Sequence, residues 1–284
     1  IYVNDARAGV TIDSNTIAVR SEALYLNSVG GAIAITNNVL DSTLSASECC
    51  GGTGIGIYGA EETGGPDNAI TSITVQDNTT RRFGRGLYLD TYGRTVLSSV
   101  TGNRVEDARD QGITIYNVQG TVVTGNTVTG SGGAGVYLGN SVPSVFKDNV
   151  ITGNGANRSE PGLYIAHNNA ELSESFLIED NDLSGNYIGI ELREFANAVI
   201  KGNDLSGSTS YGLNNLTTNA IDARYNYWGL VETTTLDEGG HPKALSFIYD
   251  GLDDAQYGTV NYAGWQTTAG GAPSSVSVAG ELVF

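Results

Sequence analysis

The sequence predicts an all-β solenoid, a fold in which short parallel strands wind into about nine stacked coils. Three observations predict it. An asparagine motif recurs along the chain, mostly at intervals of 22 to 25 residues. A second motif, a small residue followed by apolar-x-apolar, recurs in step with the first. No segment shows the sustained 3.6-residue period of a helix, so we expect helices to be nearly absent.

The asparagine motif joins β-branched residues to Gly-Asn or Asp-Asn and then to valine or leucine, as in "TVVTGNTV" (121–128) and "SVFKDNVI" (144–151). The chain has nine of these asparagines: Asn15, Asn38, Asn78, Asn103, Asn126, Asn149, Asn181, Asn203 and Asn226. The gaps between them are 23, 40, 25, 23, 23, 32, 22 and 23 residues, and the two long gaps contain polar, glycine-rich insertions.

The second motif alternates with period two, which is the signature of a strand. Its copies are "ALYL" (23–26), "GIGI" (54–57), "GLYL" (86–89), "GITI" (112–115), "GVYL" (135–138), "GLYI" (162–165), "GIEL" (189–192) and "GLNN" (212–215). A unit of about 23 residues cannot bury its apolar face alone, whereas stacked units can. With neighbouring strands about 4.8 Å apart, nine coils make a rod of roughly 40 Å.

The recurring asparagine is interpreted as scaffold. At a sharp corner the backbone turns amides and carbonyls away from the strand ladder, and a buried Asn side chain can bond to them. It can also bond to the asparagine one coil above and one below, as in stacked amide ladders. We therefore predict an internal ladder of the nine asparagines.

These repeats resemble those of the right-handed parallel β-helix proteins of the pectate-lyase-like superfamily, over about residues 8–228. The resemblance implies the right-handed coil. It implies no single function, because that fold carries lyases, hydrolases, epimerases, phage tailspikes and surface proteins without activity.

The last part of the chain departs from the repeat. "ARYNYWG" (223–229) and "SFIYDGLDDAQYGTVNYAGW" (246–265) resemble the segment that ends β-helix domains in many archaeal and bacterial cell-surface proteins. We therefore expect a β-helix over 1–229, a capping segment over 230–266, and a linker and β-tail over 267–284. The cap is expected to use four aromatic residues: Trp228, Tyr249, Tyr262 and Trp265. A sugar-binding patch is the alternative for them.

Two features of this region leave alternatives open. The carboxylates of Asp250, Asp253 and Asp254 are either Ca²⁺ ligands or part of a solvated turn. The apolar tail could donate a strand to a second copy and build a head-to-tail filament, or fold back on its own coil. It could also belong to a longer β-helix.

The amino-acid composition limits the classes of partner that the protein is expected to bind. The net charge of −17, with only 14 lysines and arginines among 284 residues, disfavours nucleic acid and anionic membranes. No apolar run reaches the roughly 20 residues that span a bilayer, so membrane insertion is not expected. The two cysteines, Cys49 and Cys50, are adjacent and form no disulfide framework. The expected location is extracellular or on a cell surface.

The second motif also places tyrosines on one outward face. In "GLYL" the leucines point inward and the tyrosine outward. Six tyrosines are predicted to share this face: Tyr25, Tyr58, Tyr88, Tyr116, Tyr137 and Tyr164. They could pack on one another, form a platform for sugar rings, or form a protein interface.

The sequence lacks the catalytic signatures of polygalacturonases and of alginate epimerases, so no catalytic residue is assigned. If the protein were a polysaccharide lyase or hydrolase, Arg85 and Asp90 would be the candidates, since an arginine can neutralise a uronate beside a carboxylate base. The favoured hypothesis is an extracellular structural or adhesive surface protein that assembles with itself or with other surface proteins. A polysaccharide-binding or polysaccharide-degrading protein is the alternative.

Overall fold

The computed structural model describes residues 1–6, 8–45, 51–59, 70–92 and 97–275. They form a parallel β-helix of about eight turns with three sheets, which confirms the predicted fold class. Every strand pairs in parallel with the strand one coil before or after it. The predicted scarcity of helix is also confirmed.

The first sheet carries the small–apolar–x–apolar motif. Its strands, in spatial order, are β1 (Tyr2–Asn4), β4 (Leu24–Asn27), β7 (Thr53–Tyr58), β10 (Arg85–Asp90), β13 (Ile113–Tyr116), β16 (Val136–Gly139), β19 (Pro161–His167), β21 (Ile188–Glu194), β23 (Tyr211–Thr217) and β25 (Ile248–Tyr249).

The second sheet carries the β-branched residues that precede each asparagine. Its strands are β2 (Val10–Asp13), β5 (Gly31–Thr36), β8 (Ile70–Gln76), β11 (Leu97–Thr101), β14 (Val122–Thr124), β17 (Val145–Lys147), β20 (Phe176–Glu179), β22 (Ala198–Lys201), β24 (Ile221–Asp222) and β26 (Val260–Asn261).

The third sheet follows each asparagine and is shorter. Its strands are β3 (Thr16–Val19), β6 (Val39–Ser42), β9 (Thr79–Arg81), β12 (Arg104–Glu106), β15 (Thr127–Thr129) and β18 (Val150–Thr152). Single bridges continue it from Val150 through Asp182 and Asp204 to Tyr227.

The predicted ladder of asparagines lies at the corner between the second and third sheets. Each side chain donates from Nδ2 to the Oδ1 of the next asparagine at 2.9–3.1 Å, from Asn15 through to Asn226. The same Oδ1 also accepts the backbone N–H of the asparagine before it, as Asn149 does from Asn126 at 3.0 Å. The ladder therefore satisfies donors that the turn removes from the strands.

The residue before each ladder asparagine explains the Gly-Asn and Asp-Asn pattern. All nine of these residues have positive φ: Ser14, Asn37, Asp77, Gly102, Gly125, Asp148, Asp180, Gly202 and Tyr225. Gly, Asn and Asp adopt this left-handed conformation most readily. Ser14 and Tyr225 are the two exceptions, at φ 57° and 66°.

The closing segment both covers and extends the coil stack. Helix α1 (Leu230–Asp237) follows Trp228, and Trp228, Tyr262 and Trp265 are buried, as expected of a cap. Trp265 donates from Nε1 to Asp237 Oδ1 at 3.1 Å. Tyr249 is an exception to the prediction, because β25 continues the first sheet and places that side chain on the outer face beside Asn214. It therefore does not cover the interior.

Several expectations lie outside the described residues. These are Cys49 and Cys50, parts of the insertion between Asn38 and Asn78, and the tail residues from 276 onward.

Candidate functional site

The outward face of the first sheet brings the predicted tyrosines together. Strand register places Tyr25 and Tyr88 on either side of Gly56, and Tyr137 beside Tyr164. A second outward column, two residues further on, holds the other two: Tyr58 and Tyr116. We call these six residues together with Tyr2 the tyrosine face. Its partners and ligands stay a prediction.

The first half of the tyrosine face is a continuous stack. Ring centroids are 4.8 Å apart for Tyr2–Tyr25, 5.0 Å for Tyr25–Tyr58 and 4.9 Å for Tyr58–Tyr88. Tyr58 crosses from its own column into the space left by Gly56, where an added Cβ would lie 3.0 Å from Tyr58 Cε2. The glycine thus lets the stack run unbroken across that coil.

The second half of the tyrosine face also has a tyrosine ring lying over a glycine. Tyr116 and Tyr137 lie 6.5 Å apart, and Tyr137 and Tyr164 lie 5.1 Å apart. Tyr116 leans over Gly139, whose added Cβ would lie 2.7 Å from Tyr116 Cε2. Burial, together with the neighbouring Tyr164 phenol, raises the pKa of Tyr137 to about 12. The Tyr137 hydroxyl is therefore neutral at physiological pH.

Arg85 and Asp90 lie at the middle of this face, but each is engaged. The Arg85 guanidinium carbon lies 5.3 Å from the centre of the Tyr88 ring, and its Nε lies 3.8 Å from Asp110 Oδ2. Asp90 is 5% exposed and accepts the backbone N–H of Tyr92 at 2.8 Å. Burial and the Asp90 charge strongly raise the pKa of Tyr88.

Two other arginines shortly before Arg85 in the sequence point elsewhere. Arg81 is paired with Glu106 at 2.6 Å, and Arg82 with Asp41 at 2.7 Å. Only Arg85 therefore contributes to the tyrosine face.

A polar group that the sequence did not single out lies further along the same face. Glu191 is 4% exposed. It accepts from Arg193 Nε at 2.6 Å and from Asn214 Nδ2 at 2.8 Å. The Arg193 guanidinium carbon lies 5.6 Å from the centre of the Tyr164 ring. The Glu191 carboxylate raises the pKa of Arg193, outweighing the desolvation that lowers it.

Three further tyrosines end this face. Tyr249 lies 5.7 Å from Tyr211 and 6.0 Å from Tyr257, with ring planes tilted by 55° and 60°. Sequence reasoning missed this cluster because Tyr257 lies outside the repeat. No signal in the repeat could have found it, because the pairing of β25 with β23 is seen only in the structure.

The predicted calcium ligands are engaged in turn hydrogen bonds. Asp250 is 2% exposed and accepts from the backbone N–H groups of Leu252 at 2.8 Å and Val260 at 2.6 Å. Burial raises the pKa of Asp250 despite these bonds. Among the described residues, no group of three or more His, Cys, Asp and Glu side chains is placed to hold a metal ion. The calcium site stays a prediction without geometric support.

The two carboxylates in the outward columns are too far apart for paired catalysis. Asp90 is on β10 and Glu191 on β21, four strand positions along the first sheet. At about 4.8 Å per strand they are separated by about 19 Å. Paired carboxylates of glycoside hydrolases are about 5 to 9.5 Å apart.

A buried histidine holds the insertion that follows β19. His167 ends that strand and is fully buried. Its ring nitrogens lie 3.0 Å from Leu172 O and 3.1 Å from Ser141 O. Burial lowers the pKa of His167, and the two backbone carbonyls oppose that shift. The histidine thus fixes the insertion beside Tyr164.

A second, shorter ladder lies at the corner between the third and first sheets. Asn154 donates from Nδ2 to Asn186 Oδ1 at 3.1 Å, and Ser131 donates its N–H to Asn154 Oδ1 at 2.9 Å. Both asparagines follow a main-ladder asparagine by five residues, a spacing that could have revealed them.

The comparisons with known proteins agree with this architecture. A family model described as right-handed beta helix region matches residues 1–172 and 67–227. Neither the curated proteins nor the solved structures gave a match. Among the described residues, no helix combines the length and the apolar character needed to cross a membrane.

Proposed function

The chain belongs to the right-handed β-helix family, and from this we propose that it is an extracellular structural or adhesive surface protein that acts without catalysis. The family supplies a scaffold and no particular chemistry. The function must therefore be argued from the surface that the scaffold presents.

The observation that carries the proposal is the packing of the tyrosine face. A sugar platform needs ring faces open to solvent, yet at the start of the stack the planes of Tyr2 and Tyr25 differ by only 9° at 4.8 Å. The facing sides of those two rings cover one another, and only Tyr2, at the end of the stack, is strongly exposed, at 70%. A long aromatic surface that is rigid and edge-on suits contact with another protein, where tyrosine is enriched.

The polar groups of the face support the same conclusion. Asp90 and Glu191 are both nearly buried and hydrogen-bonded. Neither is poised to take a proton from a substrate at the surface. They stabilise the sheet instead.

A turnover screen tests the absence of catalysis. The purified protein is incubated with a panel of neutral and uronate-containing polysaccharides, and reducing ends and unsaturated products are measured. We expect no product above a heat-denatured control, and the same result for Arg85→Ala. Product release that falls in Arg85→Ala or Asp90→Asn would overturn the proposal in favour of a lyase or hydrolase.

The surface location has its own test. Antibody against the protein should label intact, unpermeabilised source cells or their secreted material. Labelling that requires permeabilisation would contradict an extracellular role.

We also propose that copies associate head to tail. Val3, Val10 and Ile17 of the first described coil are only half-buried. Their register partners one coil on are at most 1% exposed: Leu26, Ile33 and Leu40. A coil of a second copy would cover this edge, as would a preceding stretch of the same polypeptide.

Electron microscopy distinguishes these outcomes. We expect ordered fibres of the purified protein, lost in Ile17→Asp while the strand signal in circular dichroism is retained. If only particles of single-molecule length were seen at all concentrations, the proposed head-to-tail association would be wrong. The proposed adhesive role would be unaffected.

A further inference from the structure

The closing end of the first sheet differs from the stacked tyrosine face. The rings of Tyr211 and Tyr257 are tilted by 55° and 60° to that of Tyr249, so neither is stacked face to face on it. All three side chains are half-buried. They form an unstacked group, whereas the rings of the first half of the tyrosine face follow one another at 4.8–5.0 Å.

An unfilled hydrogen-bond acceptor lies beside these rings. Asn214 is 8% exposed and donates from Nδ2 to Glu191, but its buried Oδ1 has no hydrogen-bond partner. In the sheet register Asn214 lies between Glu191 on one side and Tyr249 on the other. Because the amide nitrogen is turned toward Glu191, the oxygen is turned toward β25 and its tyrosine.

The local charge at this place is negative. Both carboxylate oxygens of Glu191 are occupied, one by Arg193 Nε at 2.6 Å, so that pair is internally neutralised. Asp253 and Asp254 follow on the turn after β25. Burial and the Asp254 and Asp253 charges raise the pKa of Tyr249. The whole chain adds to this field with a net charge of −17.

We propose that this group binds a primary ammonium ion, the chemistry of a lysine side chain on a protein partner. An ammonium carries three donors and can fill the Asn214 acceptor. Its charge is attracted by the faces of aromatic rings, here those of Tyr211, Tyr249 and Tyr257. Asp253 and Asp254 attract the same charge. A neutral hydroxyl would fill the acceptor and gain nothing from the carboxylates, and a carboxylate ligand would be repelled by them.

The inference rests on the proposed adhesive function and names the chemistry of the partner. The stacked tyrosines would supply the broad contact, and this group would receive a lysine at its end. An acidic surface that docks a basic partner is also favoured by long-range attraction.

A titration with a small probe tests the inference. Nα-acetyl-lysine N-methylamide is added to the intact protein at low salt, and tyrosine ring resonances are followed by NMR. The uncharged comparison probe is Nα-acetyl-norleucine N-methylamide, which has a similar chain without the charge. We expect saturable shifts for the lysine probe only, with binding that weakens as salt is added.

Matched variants locate the site. Asn214→Ala should weaken binding of the lysine probe at least fivefold. Tyr257→Leu, a second variant on a half-exposed loop residue, should weaken it at least fivefold as well. Tyr225→Leu, an exposed tyrosine at another corner, should leave binding unchanged. Equal binding of the two probes, or binding by both site variants at the wild-type level, would overturn the inference.

The outcomes separate this inference from the proposed function. Failure of the lysine probe alone, with adhesion retained and no turnover, overturns only the ammonium site. Polysaccharide turnover overturns the proposed function, whereas the probe titration is read independently of it.

Discussion

Removing one rung of the asparagine ladder should cost several kcal/mol. The Asn126 side chain makes four hydrogen bonds, to Val100 O at 2.8 Å, to Asn149 Oδ1 at 3.0 Å, and from the backbone and side-chain amides of Asn103 at 3.0 and 3.1 Å. At about 1 kcal/mol net for each, Asn126→Ala should lose about 4 kcal/mol. A chain of this length unfolds with an entropy of about 0.6 kcal/mol/K, so the melting temperature should fall by about 7 °C.

The assay is thermal melting followed by the strand signal in circular dichroism. The matched control is Asn157→Ala, because Asn157 is exposed in a turn and should change stability by less than about 0.5 kcal/mol. The control substitution alone should shift the melting temperature by roughly 1 °C or less. If the two variants melted within that margin of each other, the ladder would not be stabilising the coil. The reasoning from hydrogen-bond satisfaction would then be refuted.

Three further predictions concern the surface. Tyr58→Ala removes two ring contacts, at 5.0 and 4.9 Å, and should lower the free energy of unfolding by about 2 to 3 kcal/mol, measured by urea titration. An unchanged midpoint would show that the stack does not stabilise the sheet. Gly139→Ala should push Tyr116 aside, altering the near-UV tyrosine signal and costing about 1 to 3 kcal/mol, and an unaltered spectrum would contradict the close packing. The hydrogen bond from Arg81 lowers the pKa of Glu106, so its stabilisation is present above about pH 4.3 and is lost as pH falls through the lowered value. Glu106→Gln should therefore be less stable at pH 7, by at most about 1 kcal/mol at this partly exposed site, and equal to wild type in strong acid; a constant difference across pH would argue against the ion pair.

The repeat made the coil predictable. An asparagine that recurs about every 23 residues, preceded by Gly or Asp, indicates a buried side-chain amide and a corner residue in the left-handed conformation. The structure has both features, at Asn126 and Gly125. The outward tyrosines followed from period two alone, because register in a parallel coil repeats that of the coil before. Tyr88 and Tyr137 therefore lie where alternation places them.

Features that depend on contacts between distant segments were not predictable. His167 ends up buried because an insertion folds over it, which a repeat pattern does not encode. Tyr257 joins the first sheet's outer face from a turn outside the repeat. The unpaired oxygen of Asn214 depends on which way its amide is turned, and that is set by Glu191 one coil away.

The ladder is tested most directly by hydrogen exchange at the backbone amides of the corner asparagines. The N–H of Asn126 is bonded to a side-chain oxygen, Asn149 Oδ1, at 3.0 Å, in a buried turn that removes this amide from the strand ladder. The account predicts that this amide and that of Asn103 exchange as slowly as those of the core strands, many orders of magnitude slower than the exposed Asn157. Exchange of the corner amides at the rate of Asn157 would contradict the ladder, and with it the register that places the tyrosines on one face.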